Sequence, residues 1–526
     1  KKFRSPFNTE FNSQADIANK GSYEERNTQN LNYDGDFSLT YGKLFNEKHM
    51  VNVVGGMRLS QNGSNNSAYK VQGFIDDEFS NPAFALGYQK DGNATYQDSK
   101  KRAVSYYLNF GYAYDDRYLL DVNYRSDGSS VFGSDRQFTN TWSVGLGWNI
   151  HKEAFFSDIE GISLLKLRAS IGNPGNQNFD DYISTRIYSY NTDNMNIFGS
   201  SAIVSNLGNR NLEWQKTLDR NIGFDIIFLD NRLRVNFDYF NKRTDPLLVQ
   251  IGTASSTGVK TLPRNVGKQI TEGITLTMNY SIIRREDMFW SVNMNLRHQT
   301  SEYKEVSEVL TKYNLDNRNR NLTRYYDGGS PSDLWAVRSC GIDPAIGREI
   351  FLDKNGEQTF VHNYDDEVVV GNSDPKVEGV IGTSFYYKGF SASINLRYRL
   401  GGQIFMQTLY DKVENLSSSK KWENLDKRAL YDRWKQPGDQ AKFKSIASSE
   451  VTPISSRFVE DNNVLSGESI SLGYESTAPW LKHIGASSMS VRAYMNDIFR
   501  ISTVKNERGL SYPFARSVSF SLGVTF

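Results

Sequence analysis

The chain has 526 residues, a formal net charge of +1 and 13% aromatic residues, among them 30 Tyr and 31 Phe. That length exceeds one ordinary globular domain, yet no Pro- or Ser-rich linker divides it, and the near-zero net charge removes any general electrostatic case for nucleic acid. A lone cysteine, Cys340, excludes an internal disulfide framework, and no apolar run approaches the roughly eighteen residues of a membrane helix.

In chain order, the amino-terminal KKFRSPFNTE carries no hydrophobic signal segment, so something upstream is expected to be missing. A first strand is predicted to end near Leu44, with a tight turn at Asn46 to Lys48, and a second tight turn follows at Asp115 to Arg117. Ile222, Phe224, Ile226 and Phe228 then alternate with polar residues, and beyond a turn at Asp230 to Arg232 so do Leu233, Val235, Phe237 and Tyr239. The same period of two runs through Ile274 to Tyr280 and, after a turn at Arg284 to Asp287, Trp290 to Leu296. It recurs in Phe390 to Leu400, after Lys388 to Gly389, and in the final Val518 to Phe526. Long polar stretches lie at about 61–100, 174–211, 248–264, 305–374 and 403–464.

These strands run to about nine to thirteen residues, the length a tilted strand needs to cross hydrocarbon and more than the roughly five or six usual in globular sheets. Mean hydropathy is −0.57, as expected if half of each strand and all of each loop face water. Tyr112, Tyr114, Tyr118, Tyr239 and Tyr280 sit near strand ends, where aromatic girdles form. The fold class predicted is therefore all-β, a transmembrane antiparallel β-barrel in a bacterial outer membrane, with the lipid bilayer as a partner. About fifteen strands are expected over residues 1–526, with tight periplasmic turns and long extracellular loops. Single-chain bacterial barrels have even strand numbers, so an odd count predicts the carboxy-terminal part of a larger barrel.

Several motifs fall in a fixed order. They are Arg117-Tyr118-Leu119-Leu120 with Arg125, Asp127-Gly128-Ser129-Ser130 and Phe132-Gly133; Leu167-Arg168-Ala169-Ser170 with Gly172 and Gly175-Asn176-Gln177; and Asn211-Leu212-Glu213-Trp214. Asn265-Val266-Gly267 with Gly273, Gly328 to Pro331 with Gly341, Asp343-Pro344 and Gly347-Arg348, and Trp434 with Pro437-Gly438-Asp439 complete the set. Together they resemble the SusC/RagA family of TonB-linked outer-membrane proteins, over nearly the whole chain from about residue 30. The resemblance implies a 22-stranded barrel with an amino-terminal plug inside it and a SusD-like surface lipoprotein over its outer mouth. It further implies import of a nutrient, an oligosaccharide or a peptide, energised by the TonB complex, in a system of the Bacteroidetes type. The plug, the TonB-contacting segment and about seven strands would then belong to a missing amino-terminal part. Two stretches depart from the family pattern, Asn462 to Ser466 after Glu460-Asp461, and Lys505 to Tyr512. They motivate a rival reading, a SusC-like barrel kept as a structural scaffold in a larger outer-membrane assembly without transport.

No enzymatic chemistry is legible. His49, His151, His298, His362 and His483 lack metal-ligand spacing, no Ser-centred elbow or phosphate loop occurs, and no catalytic residue, metal site or cofactor is predicted. Asp353 to Glu357 reads as an Asn-Gly turn rather than a calcium loop, and Asp127 to Ser130 as a tight turn. Candidates for ligand contact are loop aromatics, Tyr325, Tyr326, Trp335, Trp422 and Trp434, whose flat rings can stack on sugars or pack on peptide side chains. Packing of loop on loop, or on a lid, is the alternative for each. Arg234, Asp238, Arg397 and Arg399 are predicted to face the lumen, lining a path or anchoring a plug.

Overall fold

The computed structural model describes residues 1–6, 20–76, 78–89, 92–130, 137–156, 159–176, 186–197, 199–209, 211–213, 215–253, 255–416, 425–448, 450–505 and 515–526. Fifteen long strands lie among them: β1 (Ser22–Phe45), β2 (His49–Gln72), β3 (Thr95–Tyr114), β4 (Tyr118–Ser129), β5 (Phe138–Asn149), β6 (Ile162–Asn173), β7 (Gln215–Phe228), β8 (Leu233–Thr244), β9 (Lys268–Arg284), β10 (Met288–Lys304), β11 (Val377–Tyr387), β12 (Phe390–Phe405), β13 (Val459–Ser476), β14 (Ser488–Ser502) and β15 (Val518–Thr525). Each pairs antiparallel with its neighbours in chain order, giving one continuous meander.

Hairpin turns of two to four residues join β1–β2, β3–β4, β7–β8, β9–β10 and β11–β12 at one end of the sheet, as the turn residues predict. Asn46, Glu47, Asp115 and Asp116 take positive φ there, the backbone form whose twist matches that of the flanking strands. Arg117 closes the β3–β4 turn by donating from Nη2 to Asp115 at 2.6 Å. The long connections gather at the opposite end. Two are narrower than their composition suggests. β2 continues to Gln72 and β3 begins at Thr95, so the connection occupies 73–94 instead of 61–100. Residues 62–67, Asn-Gly-Ser-Asn-Asn-Ser, are polar on both faces and so look like a loop, yet their backbones stay in register with Asn27–Asn32 and Tyr96–Lys101. Likewise β13 begins at Val459, which puts the Asn462–Ser466 departure inside a paired strand. A bulge at Gly401 resets the β12–β13 register there.

Register decides which face is which. Leu167, Phe224, Phe237, Leu276 and Leu296 stand side by side across β6 to β10, and Ile394, Ile470, Met495 and Val518 across β12 to β15. The next residue along each strand belongs to the other face, where Arg168, Gly223, Asp238, Thr275, Arg297, Glu378 and Arg399 form a row from β6 to β12. Asp36 on β1 and Arg297 on β10 line one cavity, so the sheet curls around its polar face. The apolar face stays uncovered: Phe37 is 63%, Leu39 68%, Leu522 69% and Phe520 78% exposed. In water such a surface would drive aggregation, whereas in hydrocarbon it is solvated. Among the described residues, no helix is long and apolar enough to cross a membrane. Among the described residues, β1 beyond Glu24 and all of β15 have a ladder partner on one side only.

Phe237 stacks on Phe224 at 5.2 Å near the middle of β8, on the outward face. Phe237→Lys is expected to destabilise the folded chain by ~2–4 kcal/mol in reversible chemical unfolding in lipid vesicles, the cost of a cation near the bilayer midplane. Thr277→Lys, on the neighbouring strand but the polar face, should change stability by less than a quarter of that.

Candidate functional site

The polar face carries an organised charge lattice. Arg168 on β6 reaches Asp225 at 2.9 Å and Asp238 at 3.1 Å, joining β6, β7 and β8. Arg125 on β4 holds Asp127 at 2.6 Å and donates to the Ser105 hydroxyl of β3 at 2.9 Å, while Ser105 donates to Asp127. Arg58 pairs with Asp34, and Tyr107 donates to Asp36 at 2.8 Å. Further round, Arg399 pairs with Glu378 at 3.4 Å and Arg397 with Glu468 at 3.3 Å. The part of this lattice from β1 to β10 encloses a cavity of about 1110 Å³, its wall running from Asp36 and Arg58 through Arg168 and Asp238 to Arg297. Of the four residues that the sequence assigns to this face, Asp238 lines the cavity; Arg234, Arg397 and Arg399 lie on the same face away from it. The sequence reading passed over Arg58, Arg125 and Arg168 as site residues. Alternation is the available signal, because each follows an outward-facing apolar or aromatic residue, Met57, Tyr124 and Leu167.

Above the long-connection end, two connections fold into one body. Residues 305–376 contain a short helix, Glu308–Asn317, and a four-stranded sheet of Asp333–Ile342, Glu349–Leu352, Gln358–Thr359 and Glu367–Asn372. Arg324 is buried beneath it, held by Glu367 at 2.7 and 2.9 Å and by the carbonyls of Arg318, Asn321 and Thr323. From residues 406–458 come Glu414, fully buried, and Arg457, which lies between Glu414 at 2.7 Å and Glu349 at 2.9 Å. Ser455 donates to Glu349 at 2.5 Å and Thr452 to Glu414 at 2.8 Å, so both carboxylates have hydroxyl donors as well as the guanidinium. Burial pushes the Lys444 and Arg433 cations down beside this cluster, and it lowers His362, which stands edge-on between Phe351 and Tyr364. Sequence offers no signal for the cluster, since its partners are 43 and 108 residues apart.

The loop aromatics divide by environment. Tyr325 turns into the cluster of Leu247, Val249, Tyr303 and Leu310, with ring centroids 4.9 Å from Tyr303 and 5.3 Å from Tyr313. Trp434 packs loop on loop, its indole donating to the Pro344 carbonyl at 2.9 Å. Tyr326, by contrast, is exposed and has its ring centroid 4.6 Å from that of Trp335, the one pair that the structure brings together among the described residues of that set. Trp422 lies outside the described residues. Packing of this kind is what adjacent residues of one type cannot announce: Tyr325 and Tyr326 differ only in the face they present.

A meander with lipid-exposed apolar rows outside, a charged lattice inside and elaborate connections at one end defines an outer-membrane β-barrel of the receptor type. The sequence profile described as TonB dependent receptor-like, beta-barrel matches residues 2–416, and the chain belongs to that family. TonB-dependent receptor P39 of Formosa agariphila is 26% identical over 540 residues, spanning 93% of this chain and 51% of that protein. TonB-dependent receptor SusC of Bacteroides thetaiotaomicron is 25% identical over 458 residues, 81% of this chain and 44% of its own length. The chain thus spans about half the length of the curated relatives it matches. Its fold superposes on that of the RagAB peptide transporter with a TM-score of 0.81 at 19% identity, covering 92% of this chain and 53% of that one. The protein is an outer-membrane, SusC-like barrel.

Arg457→Met leaves two buried carboxylates without their cation, a loss of ~3–5 kcal/mol. Amide exchange across 339–352 and 413–458 is expected to accelerate accordingly, with β7 to β9 unchanged. His362 gives a pH dependence of definite sign. Its folded value is depressed below the ordinary 6.5, so it costs nothing above that pH, and stability falls as pH drops below 6.5 and the unfolded imidazole takes up its proton first. Exchange at 349–364, corrected for intrinsic rates, should therefore rise on mild acidification, and less so in His362→Gln.

Proposed function

We propose that this chain is the carboxy-terminal barrel part of a TonB-energised nutrient importer, working with a SusD-like surface lipoprotein over its outer mouth and importing an oligosaccharide or a peptide. The observation that carries this reading is the polar cavity enclosed by Asp36, Arg58, Arg168, Asp238 and Arg297. A scaffold gains nothing from a mixed-charge lattice facing a lumen, whereas a gated path needs polar walls that a plug can leave and rejoin. The one-sided ladders of β1 and β15 fit the same reading. An open sheet edge in hydrocarbon leaves rows of backbone groups unsatisfied, so the barrel closes only with further strands. Those strands, the plug and the TonB-contacting segment come from the remainder of a longer protein, and the long connections face the exterior. The chain acts as a transporter and not as an enzyme.

Tyr326, exposed, and Trp335, half-buried, with their rings tilted against each other, are the loop aromatics best placed to meet cargo, on a body that Arg457 and Arg324 make rigid. Uptake of labelled glycan and peptide mixtures by cells, with and without a protonophore, tests the proposal. Energy-dependent uptake of one class should vanish when the gene is deleted, and Tyr326→Ala with Trp335→Ala should weaken binding about tenfold, some 0.5–1.5 kcal/mol per ring, without reducing the amount of inserted barrel. Copurification of several unrelated outer-membrane proteins at fixed stoichiometry, with no uptake defect on deletion, would establish the scaffold instead.

A further inference from the structure

The Asp127 to Ser130 segment is not the tight turn its composition predicts: Asp127 to Ser129 close the paired strand β4, because the ladders to β3 and β5 satisfy their backbone. Asp127 points inward to Arg125 and Ser105, but Gly128 belongs to the outward face, and the neighbouring strands align there. Gly35, Leu59, Val104, Gly128 and Phe138 form one outward row across β1 to β5. A Cβ on Gly128 would lie 2.6 Å from the Phe138 ring, so the ring lies across the bare glycine backbone. With Leu59 and Val104 beside it, a groove of about 490 Å³ opens to the lipid side.

One step toward the long connections the row reads Tyr33, Gln61, Arg102, and one step further Leu31, Gly63, Lys100. Apolar wall thus gives way to two cations stacked on the same face, at the level where the outward apolar rows end and headgroups begin. Arg102 is fixed in place: its Nε donates to Gln61 at 2.8 Å, its backbone N–H to the Ser130 hydroxyl at 3.0 Å, and its carbonyl accepts from the Ser130 N–H at 3.0 Å. Among the described residues no carboxylate pairs with Arg102. Among the described residues of β3, the first outward-facing carboxylate above Arg102 is Asp98, beside Asn65.

We propose that this groove binds an anionic phosphorylated lipid of the surrounding leaflet, its phosphate on Arg102 and Lys100 and an acyl chain along Leu59, Val104 and Phe138. Charge complementarity and the order of the rows select this occupant: a soluble anion has no use for the apolar wall, and a neutral lipid has none for the cations. The site is distinct from the cargo path, lying on the opposite face of the same strands, and it does not depend on which nutrient is carried.

The test uses the whole protein with its copurifying partners, exchanged into phosphatidylcholine nanodiscs containing a minor fraction of diphosphorylated lipid A, with bound lipid counted by native mass spectrometry after gentle delipidation. Lipid A should be retained over phosphatidylcholine, and Arg102→Gln with Lys100→Gln should lower its retention about thirtyfold, the scale of two cations near a charged membrane surface. Val104→Trp, which keeps both charges and fills the groove, should lower it as well, while Lys101→Gln on the inward face should not. Equal retention of the two lipids, unchanged retention in the double variant, or displacement of lipid A by inorganic phosphate alone would overturn the proposal.

Discussion

Every backbone N–H and C=O that enters hydrocarbon needs a partner, and this single requirement organises the chain. It makes the ladder continuous from β1 to β15, restricts connections to the two ends of the sheet and leaves side chains free to divide strictly by face. The apolar rows, from Leu167 to Leu296 and from Ile394 to Val518, are a consequence of that division and not its cause. Because the period is two, one choice of register fixes both the lipid surface and the charge lattice. Arg168 faces Asp225 and Asp238 only because Leu167 faces Phe224.

A different physics governs the connections. There the apolar core is small, and the body built from 305–376 and 406–458 is held by buried ionic groups: Arg324 with Glu367, and Arg457 with Glu349 and Glu414. Such pairs add little net stability over an apolar core, yet breaking one is costly, so they enforce one arrangement over alternatives. That property suits a surface which must present Tyr326 and Trp335 in a fixed pose while remaining wet.

Legibility in the sequence follows the same division. Strands such as Ile222–Phe228 and Leu233–Tyr239 could be read outright, with their faces, because alternation between two solvents is a strong local signal. Asn62 to Ser67 could not: above the bilayer both faces meet water, alternation stops carrying information and the segment looks like a loop while remaining a strand. The candidate site was half legible. Asp238 was found from its face, but Glu349 and Glu414 meet Arg457 only through the tertiary fold, and nothing in the sequence distinguishes the exposed Tyr326 from the packed Tyr325.

The upper halves of β1 and β2 carry one more consequence. Burial specifies register only where a face is buried, and residues 26–30 and 64–68, below the small Tyr23–Val71–Phe74 cluster, have no such face; their alignment is inherited, rung by rung, from the membrane-embedded half below. That half acts as a template. An insertion of one residue within the embedded part would turn a whole strand inside out, but the same insertion near Ser67 would shift only the rungs above it and slide the 73–94 connection sideways. The projecting ribbon is therefore a place where length variation can reposition a surface loop without touching the barrel, a mechanical route to new contacts in a fold whose core tolerates almost none.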